Sequence, residues 1–257
     1  MTARVPRGTA RWRVCVFFVS IRMHSWFFSS MRWCDTPIHV IDFEGNLTSG
    51  VLEFGIVTLL GGAVQAARTR LCGAIGRIRT SDTAIHQIEG GMVAGSPPFR
   101  DDFDAFARLR ETGPLAAHFA SAENTLLKAT WPYPRTSPDF ARPGGTVLDW
   151  GPWIDTGRLY GQVFPQLPST RLEDVVTALG LQPRLDQLAS AHCPPLRRMY
   201  HAALYDALAA ALLLLSLGER PEFAGMTLPW LLQLSTLNPE KRAALRQQDW
   251  TGASAPE

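Results

Sequence analysis

The chain has 257 residues, 46% of them hydrophobic, so it can bury the core of one large α/β domain or two small ones and belongs with soluble globular proteins. Its formal net charge of +2 is a property of the N-terminus, where residues 1–34 hold six arginines (Arg4, Arg7, Arg11, Arg13, Arg22, Arg32) and no acid. The rest carries an acidic excess, which excludes a globally positive surface, and a nucleic-acid ligand would need local basic patches. The four cysteines (Cys15, Cys34, Cys72, Cys193) form no CxxC pair, so neither a zinc site nor a disulfide framework is suggested and reduced thiols in a cytoplasmic protein are expected.

Val14–Ile21 is an apolar run of eight stopped by Arg22, too short to span a bilayer, and no A-x-A-like cleavage site follows. Residues 1–34 are expected to be a poorly ordered basic extension, with Met23 or Met31 as the true start. The folded part opens at Pro37. Ile38–Phe43 reads as a buried strand ending in acid. Val51–Leu60 reads as a second strand, Gly61-Gly62 as a hairpin turn, and Ala63–Leu71 as a third, antiparallel strand. Gly90, Gly91, Gly95, Pro97 and Pro98 mark a loop. Phe99–Glu111 has helical spacing of Phe103, Phe106, Ala107 and Leu109, and Gly113-Pro114 stops it. Leu115–Ala120 is expected as strand four and Ala122–Ala129 as a helix. A proline-rich loop, Trp131–Gly145, precedes a fifth strand within Thr146–Ile154. Thr156–Phe164, Leu172–Leu179 (capped by Ser169-Thr170), Leu185–Ala191, Tyr200–Leu217 and Leu228–Gln248 read as helices. Alternating strands and helices after residue 99 imply parallel crossovers with helices on the sheet faces.

Three segments carry chemistry. Asp42 and Glu44 are two apart on a strand, so both point to one face. Glu123 follows the strand-four run. His201 and Asp206 lie at the start of the longest helix. Carboxylates from rigid elements suit hard cations such as Mg2+ or Mn2+, and phosphodiester cleavage by two such ions needs them about 3.5–4 Å apart. The five positions between His201 and Asp206 amount to about 140° of helical rotation, so His201 is expected at the helix entrance, where a neutral imidazole can take a proton from water near pH 7. Each piece alone has a blander explanation: a solvated helix acid for Glu123, a surface cap for His201 and Asp206. Their order and their placement on the elements make phosphodiester hydrolysis the leading reading.

The three segments resemble the exonuclease motifs of the DEDD superfamily whose third motif holds a histidine, the group of the proofreading epsilon subunit, ribonuclease T and oligoribonuclease. The resemblance spans roughly Ile38–Leu217. Its D-x-E motif falls on Asp42 and Glu44, and its H-x4-D motif on His201 and Asp206 within HAALYDALA. Ile154-Asp155-Thr156 resembles an Asp-Thr pair ahead of the last helices. The second motif departs: His118-Phe119-Ala120-Ser121-Ala122-Glu123 ends in glutamate where aspartate is usual.

The resemblance implies a ribonuclease H-like α/β fold with a five-stranded mixed sheet flanked by helices. It implies an exonuclease domain over residues 35–220, followed by a C-terminal helical extension and tail over 221–257. It also implies 3′–5′ exonuclease activity on single-stranded DNA or RNA ends, releasing nucleoside 5′-monophosphates. Asp42, Glu44, Glu123 and Asp206 would hold two Mg2+ or Mn2+ ions, and His201 would act as general base. Phe43, Gly45, Asn46 and His118 are expected to touch substrate, with core packing the equal alternative for Phe43 and a hydrogen-bonded structural role the equal alternative for His118; Trp131, Tyr133 and Arg135 either stack on a single strand or pin their loop. A DNA polymerase subunit is among the implied partners; a membrane is not. The rival reading is a non-catalytic nucleic-acid-binding or polymerase-associated module descended from such an enzyme.

Overall fold

The computed structural model describes residues 32–142, 144–223 and 225–236. Strands β1 (Ile38–Asn46), β2 (Gly50–Leu60) and β3 (Ala63–Leu71) form an antiparallel meander. Helix α1 (Thr80–His86), the single turn α2 (Gly90–Val93) and helix α3 (Phe103–Thr112) lead to β4 (Leu115–Ala117), which lies parallel to β1. Helix α4 (Ser121–Thr130) follows. The two-residue strands β5 (Ser137–Pro138) and β6 (Thr146–Val147) pair as a separate hairpin, and β7 (Trp153–Asp155) joins β4 in parallel. Helices α5 (Thr156–Val163), α6 (Leu172–Ala178), α7 (Gln182–His192), α8 (Ala203–Gly218) and α9 (Leu228–Leu234) complete the described elements. The order β3-β2-β1-β4-β7 is a five-stranded mixed sheet of ribonuclease H-like type, as the resemblance implies.

Both faces of the sheet are covered, which is why its inner strands read as nearly continuous apolar runs. Alternation along β1 sends Ile38 and Val40 into a core shared with α5 to α8, and Ile41 and Phe43 into a second core under α3 and α4. Helix α8 lies on β1 and β2 and is buried over almost its whole length, so it is apolar all round. Gly55 lets it come close. A β-carbon there would meet the Ala203 carbonyl and the Leu204 amide at 2.3–2.4 Å, so the first turn of α8 rests directly on β2.

Several elements differ from the sequence expectation for local reasons. Strand four ends at Ala117 rather than Ala120: Phe119 takes a left-handed backbone (φ 59°), and Asp155 accepts from the amides of Phe119 and Ala120, turning the chain into α4. The fifth sheet strand is only Trp153–Asp155, because Thr146 and Val147 are drawn into the hairpin with β5. Helix α1 was not expected, since Thr80–His86 has little apolar spacing; it is tied to the β1–β2 turn by Asn46 Nδ2 donating to Asp82 (2.7 Å). The long helix starts at Ala203, and Gly218 lies inside it, where the missing β-carbon leaves room for the Trp33 ring.

Trp33, placed in the extension by the sequence, is 5% exposed and belongs to the main core, with its amide donating to Met226. The C-terminal helix is likewise part of the domain: Leu228 and Leu231 are core residues, and Ser235 Oγ accepts from the Asp155 amide (2.8 Å). The Val14–Ile21 run and residues 237–248 of the expected last helix lie outside the described residues. Cys34, Cys72 and Cys193 are free thiols. No helix among the described residues is long and apolar enough to cross a membrane.

Candidate metal-dependent catalytic site

Asp42 and Glu44 leave β1 on the α8 face, at the carboxyl end of the strand. Phe43 between them necessarily points the other way. Its ring packs edge-on against Phe99 (5.2 Å) and beside Phe106, so it is a core residue rather than a stacking platform for a base. Gly45 follows a bulge in the β1–β2 register and has φ 125°. A β-carbon there would collide with the Gly50 carbonyl, which gives this glycine a backbone reason to be present. Asn46 closes the turn, its Oδ1 accepting from Thr48 (2.8 Å) and Ser49 (3.0 Å) while its Nδ2 is held by Asp82. Phe43 thus takes the core-packing alternative, and the Asn46 side chain is engaged within the turn.

Glu123 stands in the first turn of α4, beyond the end of β4. Its carboxylate is buried, and Oε2 has no hydrogen-bond partner. The entrance to α4 is shaped by Asp155 at the end of β7, which accepts from the Phe119 and Ala120 amides and also caps α5 through the Arg158 amide (3.0 Å). His118 is held inside the protein, its Nδ1 bonded to Thr156 Oγ1 (2.9 Å) and its Nε2 to the Thr170 carbonyl (2.8 Å). Both ring nitrogens are engaged, as in the structural alternative for this histidine.

Asp206 lies in the first turn of α8, delivered onto β2 by the close approach at Gly55. It is buried, and Oδ1 has no partner. Its Oδ2 accepts from the His201 amide (3.0 Å). His201 sits two residues ahead of α8, exposed and in a left-handed conformation (φ 62°). One ligand atom each from Glu44, His201 and Asp206 lies within 4.8 Å of the other two. Asp42 and Glu123 are outside that trio, yet the charges of Asp206 and Glu123 both act on Asp42 and on Glu44. Burial first, then the charges of Asp206, Glu44 and Glu123, raise Asp42 well above the carboxylate range. Burial, then Asp206 and Glu53, push Glu44 up to about 8. Burial, with a smaller push from Asp155, takes Glu123 to about 8. Burial and Glu53 take Asp206 to about 7 against the opposing His201 amide.

A protein does not gather buried acids at this cost in desolvation and mutual repulsion without a counter-charge. The donor set is mainly hard oxygen, two buried oxygens lack partners, and ionisation is opposed; all three fit a divalent cation.

Two residues here escaped the sequence reading. Glu53 faces Glu44 across the β1–β2 pair and is 2% exposed. It is ion-paired with Arg197, at 2.5 Å between Arg197 Nη2 and Glu53 Oε2. An acid inside the apolar run VLEFGIV was the available signal, since a buried charge needs a partner. Arg197, in a proline-rich stretch, offered none. Of the stacking candidates, Trp131 is packed in the second core and Arg135 pairs with Asp104 and Glu111, while Tyr133 is exposed.

The mixed sheet β3-β2-β1-β4-β7 with its flanking helices is a fold found in exonucleases. Solved structures share it. Exonuclease X in complex with 5′ overhanging duplex DNA is 21% identical, with a TM-score of 0.56, covering 77% of this chain and 99% of that one. Exonuclease I from Methylocaldum szegediense is 14% identical (TM-score 0.55), covering 84% of this chain and 46% of that one. A 3′-exonuclease that recognises the 3′ end of histone mRNA stem-loop is 14% identical (TM-score 0.51), covering 73% and 64%. No family model and no curated protein matches the sequence.

Proposed function

We propose that this chain is a divalent-cation-dependent 3′–5′ exonuclease that releases nucleoside 5′-monophosphates from single-stranded nucleic-acid ends. The observation that supports the reading is the close approach of Glu44, His201 and Asp206, with Asp42 and Glu123 near enough for their charges to act on the same acids. The four carboxylates would hold two Mg2+ or Mn2+ ions, which when bound activate water and stabilise the leaving oxygen. The protein's own part is positional. The β1 acids are fixed by the sheet, Glu123 by the Asp155-capped entrance to α4, and Asp206 by the seat of α8 on Gly55. His201, exposed at the rim, takes the proton of the attacking water at a ring nitrogen. The solved structures of this fold whose names state DNA or RNA ligands support a nucleic-acid substrate, and the proposal includes no polymerase partner.

The test is digestion of matched single-stranded DNA and RNA oligonucleotides labelled at the 5′ end, with Mg2+ or Mn2+ supplied. The expected outcome is a ladder shortening from the 3′ end, nucleoside 5′-monophosphates as the only small product, and no reaction in excess chelator. Tight binding of the oligonucleotide with no shortening would instead identify a binding module. Internal cuts or 3′-monophosphate products would reject the exonuclease chemistry.

A further inference from the structure

Arg197 ends a 3-10 turn (Pro195–Arg197) four residues ahead of His201 and is almost fully buried. Its Nη2 and Nε form a fork on the two oxygens of Glu53, at 2.5 and 3.3 Å. The same guanidinium donates to two backbone carbonyls, Nη1 to His86 (2.6 Å) and Nη2 to His201 (3.2 Å). Glu53 in turn accepts from the Ala203 amide (3.1 Å), the first residue of α8. The turn 201–203 is thus gripped at three points: the His201 carbonyl by Arg197, the Ala203 amide by Glu53, and the His201 amide by Asp206. His201 between these anchors has φ 62°, a conformation that a residue bearing a β-carbon holds only when its surroundings impose it.

A buried ion pair contributes little net stability compared with well-packed apolar side chains. An apolar pair could not hold a carbonyl and an amide of the same turn, and that is what this pair does. Resting on the nuclease reading above, we infer that Glu53 and Arg197 are positioning residues that fix the backbone of His201 and so set its imidazole over the acidic cluster. Arg197 also joins this turn to the end of α1 through the His86 carbonyl, so three elements meet on one guanidinium.

Amide hydrogen exchange and steady-state kinetics on the full chain test this together, using Arg197→Met, Arg197→Lys and Glu53→Gln, each alone and with His201→Ala. The Met variant should speed exchange at His201 and Ala203 while the interior amides of α8 stay protected. It should lower kcat by about 10²-fold, the scale of a misplaced catalytic group, with KM within about twofold because substrate binding is spared. Lysine should recover part of kcat. On the His201→Ala background, Arg197→Met should cost nothing further. Glu53→Gln carries the same readouts should Arg197→Met fail to fold. Unchanged exchange at His201 and Ala203, or an equal loss of kcat with and without the imidazole, would overturn the inference. An inactive wild type would reject the nuclease reading instead, and exchange would still decide whether the pair grips the turn.

Discussion

Asp42 feels four acids at once, Asp206, Glu44, Glu123 and Glu53. Asp42→Asn removes one repelling charge and one cation ligand. Cleavage should fall at least about 10³-fold, since a lost cation forfeits several kcal/mol of charge stabilisation, while the metal-free variant should melt no lower than wild type. Loss of cleavage with a matching loss of fold would point to a structural role. The sign of the pH effect follows from the raised acids. Glu44 and Glu123 near 8 and Asp206 near 7 keep protons in the folded state that the unfolded chain releases around pH 4. The contribution of these acids to metal-free stability is therefore largest at low pH and falls as pH rises from about 4 towards 8. A cation that replaces those protons should reverse the fall, so Mn2+ should raise the melting temperature more at pH 8 than at pH 6; an equal shift at both would contradict the shared cluster. Asp42, Glu44, Glu123 and Asp206 could be singled out in the sequence because residue type and spacing need no structure; the approach of Glu44, His201 and Asp206 to one another is a property of the fold. For Phe43 and His118 residue type left substrate contact and an internal role equally open, because the partners that surround them, Phe99 and Phe106 for the ring and Thr156 and Thr170 for the imidazole, are distant in sequence.

The elements matter through one close approach. Gly55 on β2 lies opposite Asp42 and beneath the start of α8, so the same glycine brings the β1 acids and Asp206 together. Gly55→Ala should lift the helix start, cost about 1–3 kcal/mol as overpacking, and weaken Mn2+ binding together with cleavage. A chain that melts lower yet keeps its cation affinity would show that α8 can shift without moving Asp206. Strand and helix periodicity made β1, β2, β3 and α8 readable. The short parallel strands β4 and β7 were blurred, since their ends are set by Asp155 and the β5–β6 hairpin, which act through tertiary contacts. The unexpected helix α1 is held by Asn46 to Asp82 rather than by an apolar stripe.

Over the whole molecule, the domain is wider than the motifs suggested. Trp33 and the α9 residues Leu228 and Leu231 lie in the same core as α8, so segments on either side of the motif-bearing region help to seat the helix that carries Asp206. Trp33→Ala should cost about 3–5 kcal/mol, read by denaturant unfolding; a cost under 1 kcal/mol would return residues 32–34 to the role of an extension. On the proposed reading, acids distant in sequence come together to hold cations. Calorimetric titration of Mn2+ into the purified chain at pH 8, the level to which Glu44 and Glu123 are raised, tests it most directly. Two ions per chain are expected for wild type, with binding abolished in Glu44→Gln combined with Asp206→Asn. Wild type that binds no Mn2+, or a double variant that binds it equally well, would contradict the account.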